Sequence, residues 1–191
     1  MTTPALKTAY FYYFGDVNKF GANNLIILTS QKMLQGCNHI YLCLSSKGGC
    51  NFSALTLYNY LHNIPVKVTT HNIGLVESAA NIVFLAASER IASSNSRFMI
   101  HGSKTKFPPE TKFTTEELLE SANSLKSDLQ LFSSIISGSL NCPIETVESW
   151  HNASKFFSPT EAINNQIIGR IEEFRLPIDK EFIGINNEPP R

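Results

Sequence analysis

His39-Ile40-Tyr41-Leu42-Cys43-Leu44 runs into Ser45-Ser46-Lys47-Gly48-Gly49, an apolar strand that ends in a glycine turn. A strand with apolar residues on both faces belongs inside a sheet that is covered on both sides. Beyond the turn, Ala54, Leu55, Leu57, Tyr58 and Leu61 have the spacing of a helix packed on that sheet, and Val66 to His71 supplies a second, β-branched strand. Strand, helix, strand is a βαβ opening, which places the chain among α/β proteins with a largely parallel sheet.

The flanking segments repeat the pattern. Upstream, Ala9 to Phe14 reads as a buried strand stopped by Gly15-Asp16, and Asn23 to Gly36 carries helical periodicity through Leu25, Ile26, Leu28, Thr29 and Met33. Downstream, Ser78 opens a helix through Ile82, Val83, Leu85 and Ala86, and Arg97 to His101 is a further strand. Ser103 to Thr115, with Pro108-Pro109, reads as an exposed loop. It leads into a long helix: Thr114 and Glu117 form a capping box, and Leu118, Ala122, Leu125, Leu129, Phe132 and Ile136 make a narrow apolar seam. Such a seam packs within its own domain or pairs with a neighbouring subunit, and spacing alone leaves both open. After Gly138, helices are expected over Pro143–Trp150 and Ser158–Asn165, then an apolar piece at 167–171 and a disordered tail over 186–191. Residues 1–191 are expected to form one domain.

Composition excludes several functions. Sixteen basic residues balance sixteen acidic ones, so no net field attracts nucleic acid or an anionic membrane, and neutrality favours self-association. Cys37, Cys43, Cys50 and Cys142 lack metal-ligand spacing and read as reduced thiols. No metal and no cofactor is expected. No apolar run reaches the ~18 residues of a membrane helix, and no leader pattern opens the chain, so a cytoplasmic location is expected.

Gly74-Leu75-Val76-Glu77-Ser78-Ala79-Ala80 carries the chemistry, together with His101 in Met99-Ile100-His101-Gly102. A serine hydroxyl becomes a nucleophile when a base takes its proton, and the oxyanion that follows needs backbone N–H donors already aimed at it. Ser78, between a glycine turn at Gly74 and a helix of small and apolar residues, is the candidate nucleophile. The N–H groups of Ala79 and Gly49 are the candidate oxyanion donors, with Gly48 and Gly74 giving their segments backbone freedom. His101 is the candidate base, because histidine is the residue type suited to taking and returning a proton and its strand would end beside the same edge of the sheet. Taken singly, the serine reads as a helix cap, the glycines as a turn and the histidine as a satisfied polar residue. Singly, these readings outweigh the functional ones, and what reverses the balance is the resemblance that their order and spacing carry.

Four motifs in this order resemble the ClpP-like serine peptidases: the strand and glycine turn over His39 to Cys50, the nucleophile segment at 74–80, the histidine strand Asn95-Ser96-Arg97-Phe98-Met99-Ile100-His101, and Phe156-Phe157-Ser158-Pro159-Thr160-Glu161-Ala162 leading to Ile168-Gly169. The resemblance covers Tyr10 to about Ile171. It implies a crotonase-like fold of repeated β-β-α units with a projecting handle helix, here about 115–137. It also implies rings that enclose a chamber for peptide or unfolded-protein substrates, with Ser78 as nucleophile, His101 as base, and Gly49 and Ala79 as oxyanion donors.

Departures bear on activity. The family's third triad member is an aspartate, and by the resemblance its place is taken by Ser154, ahead of Lys155-Phe156. A hydroxyl can orient an imidazole but cannot stabilise an imidazolium by charge. Neutralising the aspartate of a serine protease triad lowers kcat by roughly 10⁴, partly through the wrong tautomer. Asn152, and Glu145 or Glu148 with a local shift, are the other candidates to orient the ring. Glu77 beside the nucleophile reads as a surface carboxylate, and Lys47 replaces the proline that stiffens the family's turn. By the same resemblance, the amino-terminal segment that docks an ATP-driven (AAA+) unfoldase is expected to be missing or very short here, which makes such an unfoldase a weaker expectation than the rings. The expected function is a serine endopeptidase. The alternatives are a catalytically silent homologue that co-assembles with an active paralogue, and an acyl-thioester enzyme of the same fold.

Overall fold

The computed structural model describes residues 6–104, 109–110 and 112–189. The chain forms two compact units, one built from the segment up to Met99 together with the segment from Phe156, the other from Ile100–Lys155.

The larger unit is organised by β1 (Thr8–Phe14), β2 (His39–Ser46) and β3 (Lys67–Glu77), joined by helices α1 (Lys19–Leu34) and α2 (Asn51–Asn63). Phe11, Ile40, Leu42, Leu44 and Val76 from the strands and Leu25, Leu57 and Leu61 from the helices are almost completely buried. Each such side chain contributes roughly 1.5–3 kcal/mol through its removal from water, which is why the apolar runs lie on this sheet. The ladders β1–β2 and β2–β3 are parallel, as two helical crossovers require. Asn18 caps α1 by accepting from the N–H groups of Phe20 and Gly21, so the helix begins earlier than its apolar periodicity.

β3 differs most from the sequence reading. It continues through Gly74, which lies inside the strand and not in a turn. Its far edge is shared: residues 69–72 pair with β4 (Glu89–Ala92), while residues 75–77 pair with β5 (Arg97–Ile100). At the switch, buried Asn72 replaces ladder bonds with its own amide, accepting from Gly74 N–H at 3.0 Å and donating to Arg97 O at 2.9 Å. Ser45 Oγ accepts from Leu75 N–H on the other side and stands where a Cβ on Gly74 would lie. Short helix α3 (Ala80–Leu85) follows, and its Phe84 ring meets Phe98 of β5 edge-on at 5.1 Å.

Four short strands escaped the sequence pattern: β4, β6 (Lys155–Phe157), β7 (Arg170–Ile171) and β8 (Phe182–Gly184). The strand order is β6-β5-β3-β2-β1-β8, with β4 between β3 and β7. Helix α6 (Pro159–Asn164) starts with a complete capping box between Ser158 and Glu161. The expected disorder of the tail is corrected for its first residues. Asn18 Nδ2 donates to Asn187 O, Asn24 Oδ1 accepts from Asn186 N–H, and Asn187 Nδ2 donates to Phe14 O. These amides give a polar segment the partners that apolar residues would otherwise supply. Residues 190–191 lie outside the described residues.

The smaller unit contains α4 (Thr115–Leu140) and α5 (Ile144–Ala153). The Thr114–Glu117 capping box is fully formed. Gly138 does not end α4; left-handed Asn141 does, with the Cys142 N–H returning to Ser137 O. Phe132, Ile136 and Leu140 are buried with Val147 and Trp150 of α5, whereas no residue of α4 up to Leu131 is buried. Of the expected loop at 103–115, residues 105–108 and 111, Pro108 among them, lie outside the described residues.

Candidate active site

Ser78 stands at the junction of β3 and α3 in the left-handed conformation, φ 54°. A non-glycine residue at this angle costs roughly 1–3 kcal/mol and persists only where surrounding contacts enforce it. Here they do. The Ser78 N–H donates to Met99 O of β5 at 2.8 Å, and the Ser78 carbonyl accepts from both the N–H and the Nδ2 of Asn81. Asn81 Nδ2 also donates to Met99 O at 2.8 Å. Asn81 is a buried polar residue within an apolar helical run, the one sequence signal that could have marked it as the brace of this elbow. A strained strand-to-helix elbow presents its side chain away from the sheet, which is what a serine nucleophile requires.

The glycine turn after β2 closes on the elbow. Gly48 has φ 94°, and a Cβ there would lie 2.7 Å from Ser78 Cβ, 2.8 Å from Glu77 O and 2.9 Å from Ala79 N. Only glycine permits that approach. Gly49 is held by the bonds flanking it, Val17 N–H to Gly48 O and Cys50 N–H to Val17 O, both 2.8 Å. Among the described residues, neither the Ala79 N–H nor the Gly49 N–H donates to a protein acceptor, although Ala79 is 1% exposed. Buried N–H groups are almost always paired, so a donor left open beside a strained serine is a feature of sites that bind a developing oxyanion. Gly74 stands apart, as a strand residue packed on Ser45.

Glu77 is not the surface carboxylate its sequence context implies. It is 6% exposed, and Arg97 donates to its Oε1 from Nη2 at 2.7 Å and Nε at 3.0 Å. The Arg97 guanidinium in turn lies over the Phe156 ring, 5.2 Å from its centroid.

His101 follows β5 and belongs to the smaller unit, where it is half-buried. Its Nδ1 lies 2.6 Å from Gly102 O. A carbonyl only accepts, so Nδ1 carries a proton, and in the neutral ring Nε2 has the lone pair of a base. Ser154 is exposed at the left-handed end of α5, φ 51°, and Asn152 is exposed as well. The bond on Nδ1 therefore runs to a backbone carbonyl and not to the hydroxyl or amide considered from sequence. His151, which sequence reasoning did not single out, is 6% exposed and donates from Nδ1 to His101 O at 2.9 Å.

A mostly parallel sheet with this strand order and a serine elbow after β3 defines a crotonase-like fold. Residues 4–175 match the sequence profile of the Clp protease family, and the chain belongs to that family. It is 31% identical over 99 residues to the ATP-dependent Clp protease proteolytic subunit 2 of Treponema denticola, covering 50% of each chain. It is 27% identical over 153 residues to the proteolytic subunit of Chlorokybus atmophyticus, covering 77% of this chain and 65% of that one. For the chloroplastic subunit 4 of Arabidopsis thaliana the values are 25% over 134 residues, 68% and 44%. The chain thus spans about half to two thirds of the length of these relatives. A solved structure of a ClpP1 mutant from Listeria monocytogenes matches with a TM-score of 0.76 at 21% identity, over 88% of this chain and 92% of that one, and shows the same fold. Among the described residues no helix is long and apolar enough to cross a membrane.

Proposed function

We propose that this protein is a cytoplasmic serine endopeptidase of the Clp proteolytic type, acting on peptides or unfolded chains. The observation that carries this reading is the strained Ser78 elbow with the unused Ala79 N–H beside it. In the proposed reaction His101 Nε2 takes the Ser78 hydroxyl proton as Oγ attacks the peptide carbonyl, and the oxyanion accepts from the N–H groups of Ala79 and Gly49. Collapse expels the amine with the proton from His101, leaving an acyl-Ser78. Water, deprotonated by the same ring, releases the acid. Neither metal nor cofactor is needed for any step.

Self-association into rings is supported by family membership and by Leu118 and Leu119, exposed on α4. An ATP-driven unfoldase remains a partner of the relatives' kind, since they are named ATP-dependent. The bond from His101 Nδ1 to a carbonyl supports a second reading, a weak or silent subunit that co-assembles with an active paralogue, because among the described residues no carboxylate bonds to the ring. Fluorophosphonate labelling of the assembled protein separates the two. Labelling that is lost in Ser78→Ala and His101→Ala supports the peptidase; no labelling of well-assembled protein supports the silent subunit.

A further inference from the structure

We infer that His151 is the positioning residue for His101, in place of a triad carboxylate; this rests on the reading of His101 as the base. The two ends of one peptide unit are bound to this single residue. The His101 carbonyl accepts from His151 Nδ1 at 2.9 Å, and the Gly102 N–H donates to His151 O at 3.1 Å. That peptide plane is thereby fixed, and the next carbonyl, Gly102 O, is the acceptor for His101 Nδ1 at 2.6 Å. The clamp therefore sets both the direction and the tautomer of the catalytic ring through main chain alone.

The state of His151 agrees with this role. In the neutral ring, donation from Nδ1 leaves Nε2 without a proton, and that atom is buried without a hydrogen-bond partner among the described residues. Burial, first, and the neighbouring His101 charge push its pKa down, against the opposing bond to the His101 backbone and the charge of Glu148. A neutral donor holds the carbonyl without setting a second cation beside the imidazolium that forms during catalysis. The trade-off is chemical: a clamp of this kind supplies orientation but none of the charge stabilisation an aspartate gives.

The test compares His151→Leu, which removes the donor, with His151→Asn, whose Nδ2 stands where Nδ1 does, and His151→Gln, whose Nε2 does not. The Ser78 labelling rate is expected to fall about tenfold or more in the Leu and Gln variants and to return to within about twofold of wild type in the Asn variant, at matched melting temperature and assembly. A Leu variant as fast as wild type, or an Asn variant as slow as Leu, overturns the inference. Ring nitrogen shifts of labelled histidine provide a readout independent of catalysis. His101 is expected to be Nδ1-protonated in wild type and Asn variant and a mixture of tautomers in the Leu variant. If wild type fails to label, the peptidase reading falls, and an unchanged His101 tautomer in the Leu variant would still sink the clamp.

Discussion

Arg97 donates two hydrogen bonds to a single oxygen of Glu77, and the carboxylate so held is buried directly before Ser78. An unpaired anion there would oppose the negative charge that develops on the substrate oxygen. Paired, it joins β3 to β5 across the register that sets Leu75 opposite Arg97 and Glu77 opposite Met99. Since Met99 O also receives the Ser78 N–H, the ion pair braces the elbow as well as compensating its own charge.

Arg97→Ala is expected to destabilise the fold by about 2 kcal/mol, less than for a fully buried pair because half of the Arg97 side chain is exposed. It should also slow Ser78 labelling. Adding Glu77→Gln to Arg97→Ala should recover most of the loss, and urea unfolding of the four proteins measures the coupling. Additive losses would show that the pair does not act as a unit.

Gly48→Ala tests the contact between turn and elbow. The new methyl would stand inside contact distance of Ser78, Glu77 and Ala79 at a φ that side chains rarely adopt. The expected result is a loss of about 2 kcal/mol or more and no labelling of Ser78. Full activity in this variant would mean that the turn lies elsewhere.

Backbone strain at Ser78 makes a prediction that does not depend on chemistry. Ser78→Ala and Ser78→Gly both remove the nucleophile, but only glycine is at ease at φ 54°. The Gly variant should therefore be the more stable of the two by about 1 kcal/mol in chemical denaturation. Equal stabilities would remove the strain argument.

The parts legible in the sequence are those written in side-chain pattern. The apolar runs of β1 and β2, the periodicity of α2 and the Thr114–Glu117 cap each carry a local signal that burial or capping enforces. β4 and β6 to β8 have four residues or fewer, too short for alternation to register, and owe their pairing to neighbours distant in sequence. Gly74 looked like a turn because its strand conformation depends on Asn72 and Ser45 completing the ladder. Ser78, Ala79, Gly48 and Gly49 are legible through residue type together with the motifs that resemble the family, whereas Arg97 on Glu77 and His151 on His101 are tertiary pairings twenty and fifty residues apart, with no mark in local pattern.

Glu89 supplies a pH test of the larger unit. It accepts from Thr69 Oγ1 at 3.0 Å and pairs with Lys67 and Arg170, both at 2.5 Å. Burial raises its pKa, but the hydrogen bonds from Lys67, Arg170 and Thr69 outweigh burial and hold the group at about 2, against 4.5 ordinarily. A depressed carboxyl contributes stability that is complete above its unfolded pKa and is lost as pH falls through its folded one. Glu89→Gln should therefore lower stability by about 2 kcal/mol at neutral pH, after allowance for solvent screening at a partly exposed site. The difference from wild type should stay constant above about pH 5 and shrink between about pH 4.5 and about pH 2. Urea unfolding of both proteins across that range measures it, and curves that stay parallel down to the acid limit would exclude the network as the source of the shift.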